Sequence, residues 1–265
     1  MVPMMRNAFW LVLVSIFLLS CAITPLNEGS KTDEELFNKA MASYKEKDYW
    51  QAQPIFQEIR DKFPLSQYAV MAELRLADIH YFKAEYVEAI HYYEEFKRLH
   101  PSNPDVPYAI FQLGMCNFAQ IETVDRDQTP AEKAAEHFEF LIDHYPTSPF
   151  TGKAMGKFRM CSKKMFEHDF SIGHFYYKTK KYWAAKERFL EILTRYPYAR
   201  GRDKVLFYLG QTYQLLHEDA RAREVLVSLL EDYPQSEYKI QTKVLLDIPL
   251  ASGEKDALEK DHKKK

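Results

Sequence analysis

The sequence predicts an all-α protein: an α-solenoid of five helical hairpins in which one long helix joins the third hairpin to the fourth. Three observations carry that expectation. Glycine is scarce, 8 residues in 265, whereas 3 Trp, 18 Tyr and 18 Phe are present. An average chain holds roughly 7% glycine, so folds built on glycine-rich phosphate loops or many tight β-turns are disfavoured and helices packed through rings are favoured. Five prolines follow an aromatic residue or histidine, at Phe63-Pro64, His100-Pro101, Tyr145-Pro146, Tyr196-Pro197 and Tyr233-Pro234, and twelve residues before each proline stands Ala52, Ala89, Ala134, Ala185 or Ala222. The proline intervals are 37, 45, 51 and 37 residues, so two are longer by eight and by fourteen. Fourteen is close to four whole helical turns, or ~21 Å.

Residues 1–20 read as a signal peptide. Arg6 and the free amine make a small positive start, and Ala8 to Leu19 are almost wholly apolar. A spanning helix needs ~20 such residues, so the stretch fits the apolar region of a secretory signal. The ending Leu18-Leu19-Ser20-Cys21 resembles a bacterial lipobox, which implies lipidation of Cys21. The alternative is an ordinary signal cut elsewhere, with Cys21 incidental. Ala22 follows the cysteine where aspartate usually retains a lipoprotein in the inner membrane, so delivery to the outer membrane is expected. Each buried methylene of an acyl chain contributes ~0.8 kcal/mol, and a multiply acylated cysteine would hold the chain at the membrane. Residues 21–33 are polar and turn-rich and read as a flexible tether.

The helices follow from the repeat. Four residues after each alanine comes Phe56, Tyr93, Phe138, Phe189 or Leu226, and three further on Ile59, Phe96, Leu141, Ile192 or Leu229. The 4, 3, 4 spacing is one apolar stripe on a helix about three turns long, stopped by the proline. A partner helix lies upstream. Twelve residues before the alanine stands Ala40, Ala77, Gly173 or Gly210, and in the third repeat Gly114 stands twenty before. Small residues let two helix axes approach while rings fill the gaps. One hairpin cannot bury its own apolar face, so neighbours must stack. This arrangement resembles the tetratricopeptide repeat, with a period of 37 residues against 34 in that family. The usually small residue late in the second helix is here the large Ile59, Phe96, Leu141, Ile192 or Leu229.

The two longer intervals have different readings. The eight-residue excess falls between Phe118 and Ala131, a polar loop Val124-Asp125-Arg126-Asp127-Gln128 ending in a Thr129-Pro130 helix start. The fourteen-residue excess keeps a 4, 3, 4 stripe through Ala154, Phe158, Cys161, Met165, His168 and Ile172, which predicts one helix from about Phe150 to Lys178. The expected organisation is repeats 1–3 in residues 34–149, the long helix and repeats 4–5 in residues 150–248, and a solvated polar tail in residues 249–265.

No catalytic site, metal or cofactor is expected, and the chain reads as a non-enzyme. The formal charge of −2, from 36 basic and 38 acidic residues, excludes a strong basic field for nucleic acid. Gly152-Lys153-Ala154-Met155-Gly156-Lys157 is one residue short of a phosphate loop, lacks the following Ser or Thr, and falls inside the expected long helix. Asp125 and Asp127 open like a calcium loop but lack its glycine and distal glutamate. Cys116 and Cys161 read as buried thiols rather than a bridge. What remains is surface. A second stripe on the first helices comprises Phe37, Met41 and Tyr44, then Leu74, Asp78 and Tyr81, then Phe111, Met115 and Phe118. In tetratricopeptide folds these helices line the concave face. Phe37, Met41, Tyr44, Leu74, Tyr81, Phe111 and Phe118 therefore either form a groove for an extended or terminal peptide or pack between neighbouring helices.

The anchor, the repeats, the inserted Val124-Asp125-Arg126-Asp127 loop, the long helix and the run Tyr176-Tyr177, Tyr182-Trp183-Ala184-Ala185, Arg188, Tyr196-Pro197 together resemble the BamD (YfiO, ComL) family of outer-membrane assembly lipoproteins. That resemblance implies a lipid-anchored, non-enzymatic scaffold on the periplasmic face of the outer membrane. It would work in the β-barrel assembly machinery, with BamA, accessory lipoproteins and unfolded outer-membrane β-barrel proteins as partners. It also implies that the C-terminal repeats contact BamA and that the N-terminal repeats receive the aromatic-ended C-terminal strand of clients. Arg188 matches a family arginine of the BamA contact; the plain alternative is an exposed helix charge. The rival reading is another tetratricopeptide envelope lipoprotein, a secretin pilot or a CpoB-like cell-division coordinator.

Overall fold

The computed structural model describes residues 31–249, and among these it contains α-helices and no strand. In chain order the helices are α1 (Asp33–Lys45), α2 (Tyr49–Lys62), α3 (Gln67–Phe82), α4 (Tyr86–Leu99), α5 (Val106–Phe118), α6 (Thr129–His144), α7 (Thr151–Lys178), α8 (Tyr182–Arg195), α9 (Arg202–Leu215), α10 (Asp219–Asp232) and α11 (Lys239–Leu245). Cys21, the signal segment and the charged tail lie outside the described residues. The chain divides into two compact units, one ending at Ile79 and the other beginning at His80.

The proline signal ends every second helix in the same way. α2, α4, α6, α8 and α10 stop at Phe63, His100, Tyr145, Tyr196 and Tyr233, each with φ near −124° to −131° and ψ between 51° and 66°. The following pyrrolidine ring disfavours the helical region for the residue before it. Each of these residues still donates its backbone N–H to the carbonyl four residues back, from Ile59, Phe96, Leu141, Ile192 or Leu229. The last turn is therefore satisfied before the chain leaves it.

The stripe is the core. All five alanines, the five residues four positions on and the five after those are buried, none more than 2% exposed. Each large side chain among them contributes ~1.5–3 kcal/mol by leaving water. The small residues of the first helices face them. A methyl on Gly114 would stand 2.8 Å from Phe138 Cδ1, one on Gly173 would stand 2.8 Å from Phe189 Cε1, and one on Gly210 would overlap the Leu226 side chain. Glycine is required there by proximity rather than by backbone angle.

The turn inside every hairpin but the third, which carries the inserted loop, also recurs. Lys47, Ala84, Lys180 and His217 adopt positive φ of 62°, 59°, 61° and 61°. The next residue then donates to the carbonyl five back, as in Asp48 to Ser43, Glu85 to His80, Lys181 to Tyr176 and Glu218 to Tyr213, each at 2.9 Å. This is the left-handed helix stop, taken here without glycine. Asp247, at φ 56°, repeats it after α11. α11 thus ends as the first helix of a hairpin does, a feature the proline count does not reveal.

α7 spans 28 residues and starts one residue after the expected Phe150. Ala154 and Cys161 are fully buried on its stripe, and Phe166 turns inward beyond them. The inserted loop before α6 packs on α7, where His168 Nδ1 meets the Val124 carbonyl at 2.5 Å. Asp127, just before the start of α6, accepts from Thr129 N at 3.0 Å and from its hydroxyl at 2.8 Å. Cys116 and Cys161 are both buried thiols, and burial pushes the Cys161 thiol up to about 11.

Candidate peptide groove and partner contact

The stripe proposed as a groove divides by depth. In the first unit Phe37 on α1 is 8% exposed and lies 5.9 Å from the Phe56 ring and 5.1 Å from Tyr68, while Leu74 on α3 is fully buried. Both belong to the core. Met41 and Tyr44 are half-buried. The Tyr44 hydroxyl donates to Asp78 Oδ2 at 3.2 Å, and Asp78, wholly buried, also receives the Arg75 guanidinium, which lies 5.8 Å over the Tyr44 ring. Burial, then the Asp78 charge, pushes the Tyr44 phenol upward.

In the second unit Tyr81 is half-buried beside Phe82 and Tyr86, at 5.6 and 5.8 Å. Phe111 and Phe118 on α5 are also half-buried. Phe111 stacks on Phe150 at 5.7 Å, and Phe118 meets Phe138 edge-on at 6.5 Å. The Lys157 ammonium stands 4.0 Å from the centroid of Phe118. The side chains left half-open by packing are therefore Met41, Tyr44, Tyr81, Phe111 and Phe118.

The same stripe continues where the sequence reading stopped. Counted from the small residue of each first helix it occupies positions −3, +1 and +4, and from Gly173 those offsets fall on Phe170, His174 and Tyr177. These rings converge on Tyr208 of α9, at 5.7, 4.8 and 5.3 Å, and Tyr238 stands 6.2 Å from the same ring. Tyr177 donates to Gln211 Oε1 at 2.8 Å, so a tyrosine at +4 bonds the +1 residue of the next first helix, as Tyr44 does to Asp78. The repeated offset was the available signal for this surface.

These phenols give the protein an alkaline limit. Burial raises Tyr44, Tyr177 and Tyr208, and burial with the Glu237 charge raises Tyr238 to about 12. In the unfolded chain they ionise near ~10. Above that pH the folded state holds more protons, so stability falls as pH rises toward 12. The melting midpoint is expected to drop steadily between pH 10 and 12, approximately, because the buried phenols ionise only on unfolding. A midpoint flat across that window would contradict the burial argument.

Arg188 on α8 is exposed and pairs only locally in the described structure, with Glu191 Oε2 at 2.8 Å. An exposed pair one turn apart contributes little to stability, so the side chain is available to a partner at small cost. Arg195 differs. It joins Glu132 of α6 at 2.8 Å and Asp169 of α7 at 3.3 Å, and its neighbour Tyr196 donates to the same Asp169 at 2.7 Å. Arg195 fastens three helices together. Among the described residues no group of three or more His, Cys, Asp or Glu is placed to hold a metal ion, and no helix is long and apolar enough to cross a membrane.

The chain matches the YfiO family, described as outer membrane lipoprotein, over residues 29–227. It belongs to that family. Its relatives include the outer membrane protein assembly factor BamD of Caulobacter vibrioides, 27% identical over 85% of this chain and 77% of that protein. BamD of Rickettsia prowazekii is 27% identical over 77% of this chain and 81% of its own length. BamD of Neisseria meningitidis serogroup A is 25% identical over 77% and 80%. Among solved structures, the TPR2AB domain of yeast Sti1 aligns with 82% of this YfiO-family chain and 85% of its own, at 13% identity and a TM-score of 0.43.

Proposed function

We propose that this YfiO-family chain is a non-enzymatic scaffold of outer-membrane β-barrel assembly. It is anchored through a lipidated Cys21 on the periplasmic face. It binds BamA through the surface carrying Arg188, and the half-open side chains of each unit, Met41 and Tyr44 in the first and Tyr81, Phe111 and Phe118 in the second, offer contacts for the C-terminal strand of unfolded barrel proteins. The observation that carries this reading is the family match over residues 29–227, together with relatives named as assembly factors that align over most of the chain. The side chains suit the roles: half-buried rings offer apolar contact to an aromatic terminus, and an arginine held only by an exposed pair can form a bidentate bond to a partner carboxylate.

Affinity purification from detergent-solubilised envelopes tests it. BamA is the expected main partner, and Arg188→Glu is expected to reduce its recovery about tenfold, equivalent to ~1.4 kcal/mol. Depletion of the chain is expected to lower outer-membrane barrel proteins. Recovery of a secretin or a peptidoglycan synthase in place of BamA, or normal barrel levels on depletion, would replace this reading. Palmitate labelling that survives Cys21→Ser would remove the anchor from it.

A further inference from the structure

The motif Gly152-Lys153-Ala154-Met155-Gly156-Lys157 is left over by every role described so far. It lies within a long stretch without acid: residues 144–166 contain no Asp or Glu but hold Lys153, Lys157, Arg159, Lys163 and Lys164. Such segregation stands out in a chain that carries 38 acidic residues. The described residues show no ion pair for any of the five cations. Lys157 and Lys153 lie over the rings of Phe118 and Phe150.

On α7 the helical period of about 3.6 residues places Gly152, Gly156, Arg159, Met160 and Lys163 on one face. The opposite face, with Ala154 and Cys161, is buried. Nothing lies within 4 Å of where a Cβ on Gly152 or Gly156 would stand, so neither glycine is needed for packing inside the chain, unlike Gly173 on the same helix. Glycine within a helix is otherwise unfavourable relative to alanine. Beside these glycines Met155 and Met160 are 44% and 52% exposed. The face therefore offers a backbone open to close approach, two adaptable apolar side chains and a border of unpaired positive charge.

We infer that this face of α7 docks an acidic α-helix of another protein. Small residues four apart let a second helix come close. Thioether side chains adapt to a partner's apolar contour. The cations select Asp and Glu on the partner's flanks and set its register. A lipid surface rewards bulky apolar side chains entering the interface, and the two open glycines offer none. The inference stands on α7 alone and is independent of the assembly role.

The test uses the full-length chain in its own envelope, with a photoreactive benzophenone amino acid at position 160. Irradiation is expected to give one adduct that maps to a helical segment with an excess of Asp and Glu. Arg159→Glu with Lys163→Glu is expected to reduce the yield about tenfold through charge reversal, and Gly156→Leu to reduce it comparably by blocking approach. Lys163→Gln alone is expected to give a smaller loss. Gly156→Ala, which fills open space, is expected to raise the melting midpoint by ~2 °C, showing that the site is not part of the core. Phosphatidylethanolamine–phosphatidylglycerol vesicles provide the competing probe. Adducts to lipid alone, with vesicle binding lost on charge reversal, would overturn the inference in favour of a membrane surface. No adduct, a partner segment without acidic excess, or yields indifferent to both kinds of substitution would also overturn it.

Discussion

Phe138→Ala is expected to lower the free energy of unfolding by about 3–5 kcal/mol. The ring is fully buried on α6, and it meets Phe111 at 5.8 Å and Phe118 at 6.5 Å. Gly114, the α5 residue packed directly beneath the ring, has no side chain to fill the space. Removing the ring thus loses its transfer free energy and leaves a cavity that helices held by other contacts cannot close. Phe140, two residues on, supplies the control. It is 44% exposed and stacks on His144 at 4.0 Å. Phe140→Ala is expected to cost less than about 1 kcal/mol, as surface substitutions usually do. Urea titration of both variants, followed by helicity at unchanged slope, checks the difference. Equal losses at the two positions would mean that α6 is not seated through the face described.

Gly210→Ala is expected to destabilise by about 1–3 kcal/mol, even though alanine is intrinsically the better helix former. A methyl at Gly210 would overlap the branched end of Leu226, which is itself fully buried. Either Leu226 leaves its rotamer or α9 and α10 move apart, and the fit of Leu209 and Leu229 suffers with them. Leu226→Val removes one carbon from the same point, so the double variant is expected to recover part of the loss. A positive coupling in a double-mutant cycle is the signature of direct contact. The contrast with Gly156 is informative: the same Gly→Ala change on α7 meets nothing and is expected to stabilise. A stabilising Gly210→Ala would show that the hairpins are looser than described.

The helices and their ends were legible because their signals are local. An X-Pro bond restricts the residue before it whatever the rest of the chain does, and all five such residues end a helix in the same conformation. The period of the stripe across the fourteen-residue extension likewise foretold α7 from Thr151 to Lys178. The surface was less legible. Phe37 and Tyr44 sit on one stripe of one helix, yet the first is in the core and the second half-open. Asp78, read as part of a stripe that either lines a groove or packs between helices, is wholly buried and bonded to Tyr44 and Arg75. The aromatic cluster around Tyr208 draws on α7, α9 and Tyr238, the residue before α11, and the sequence reading did not carry the stripe past the extension.

Helix register, hairpin spacing and the identity of the core positions are thus properties of the chain itself, set by backbone sterics and by the 3.6-residue turn acting over a few residues. Folding alone decided which rings close over one another, and which arginine fastens helices and which pairs only along its own helix. Those outcomes depend on the separation of helices far apart in sequence, where a shift of an ångström or so exchanges a buried contact for an exposed one.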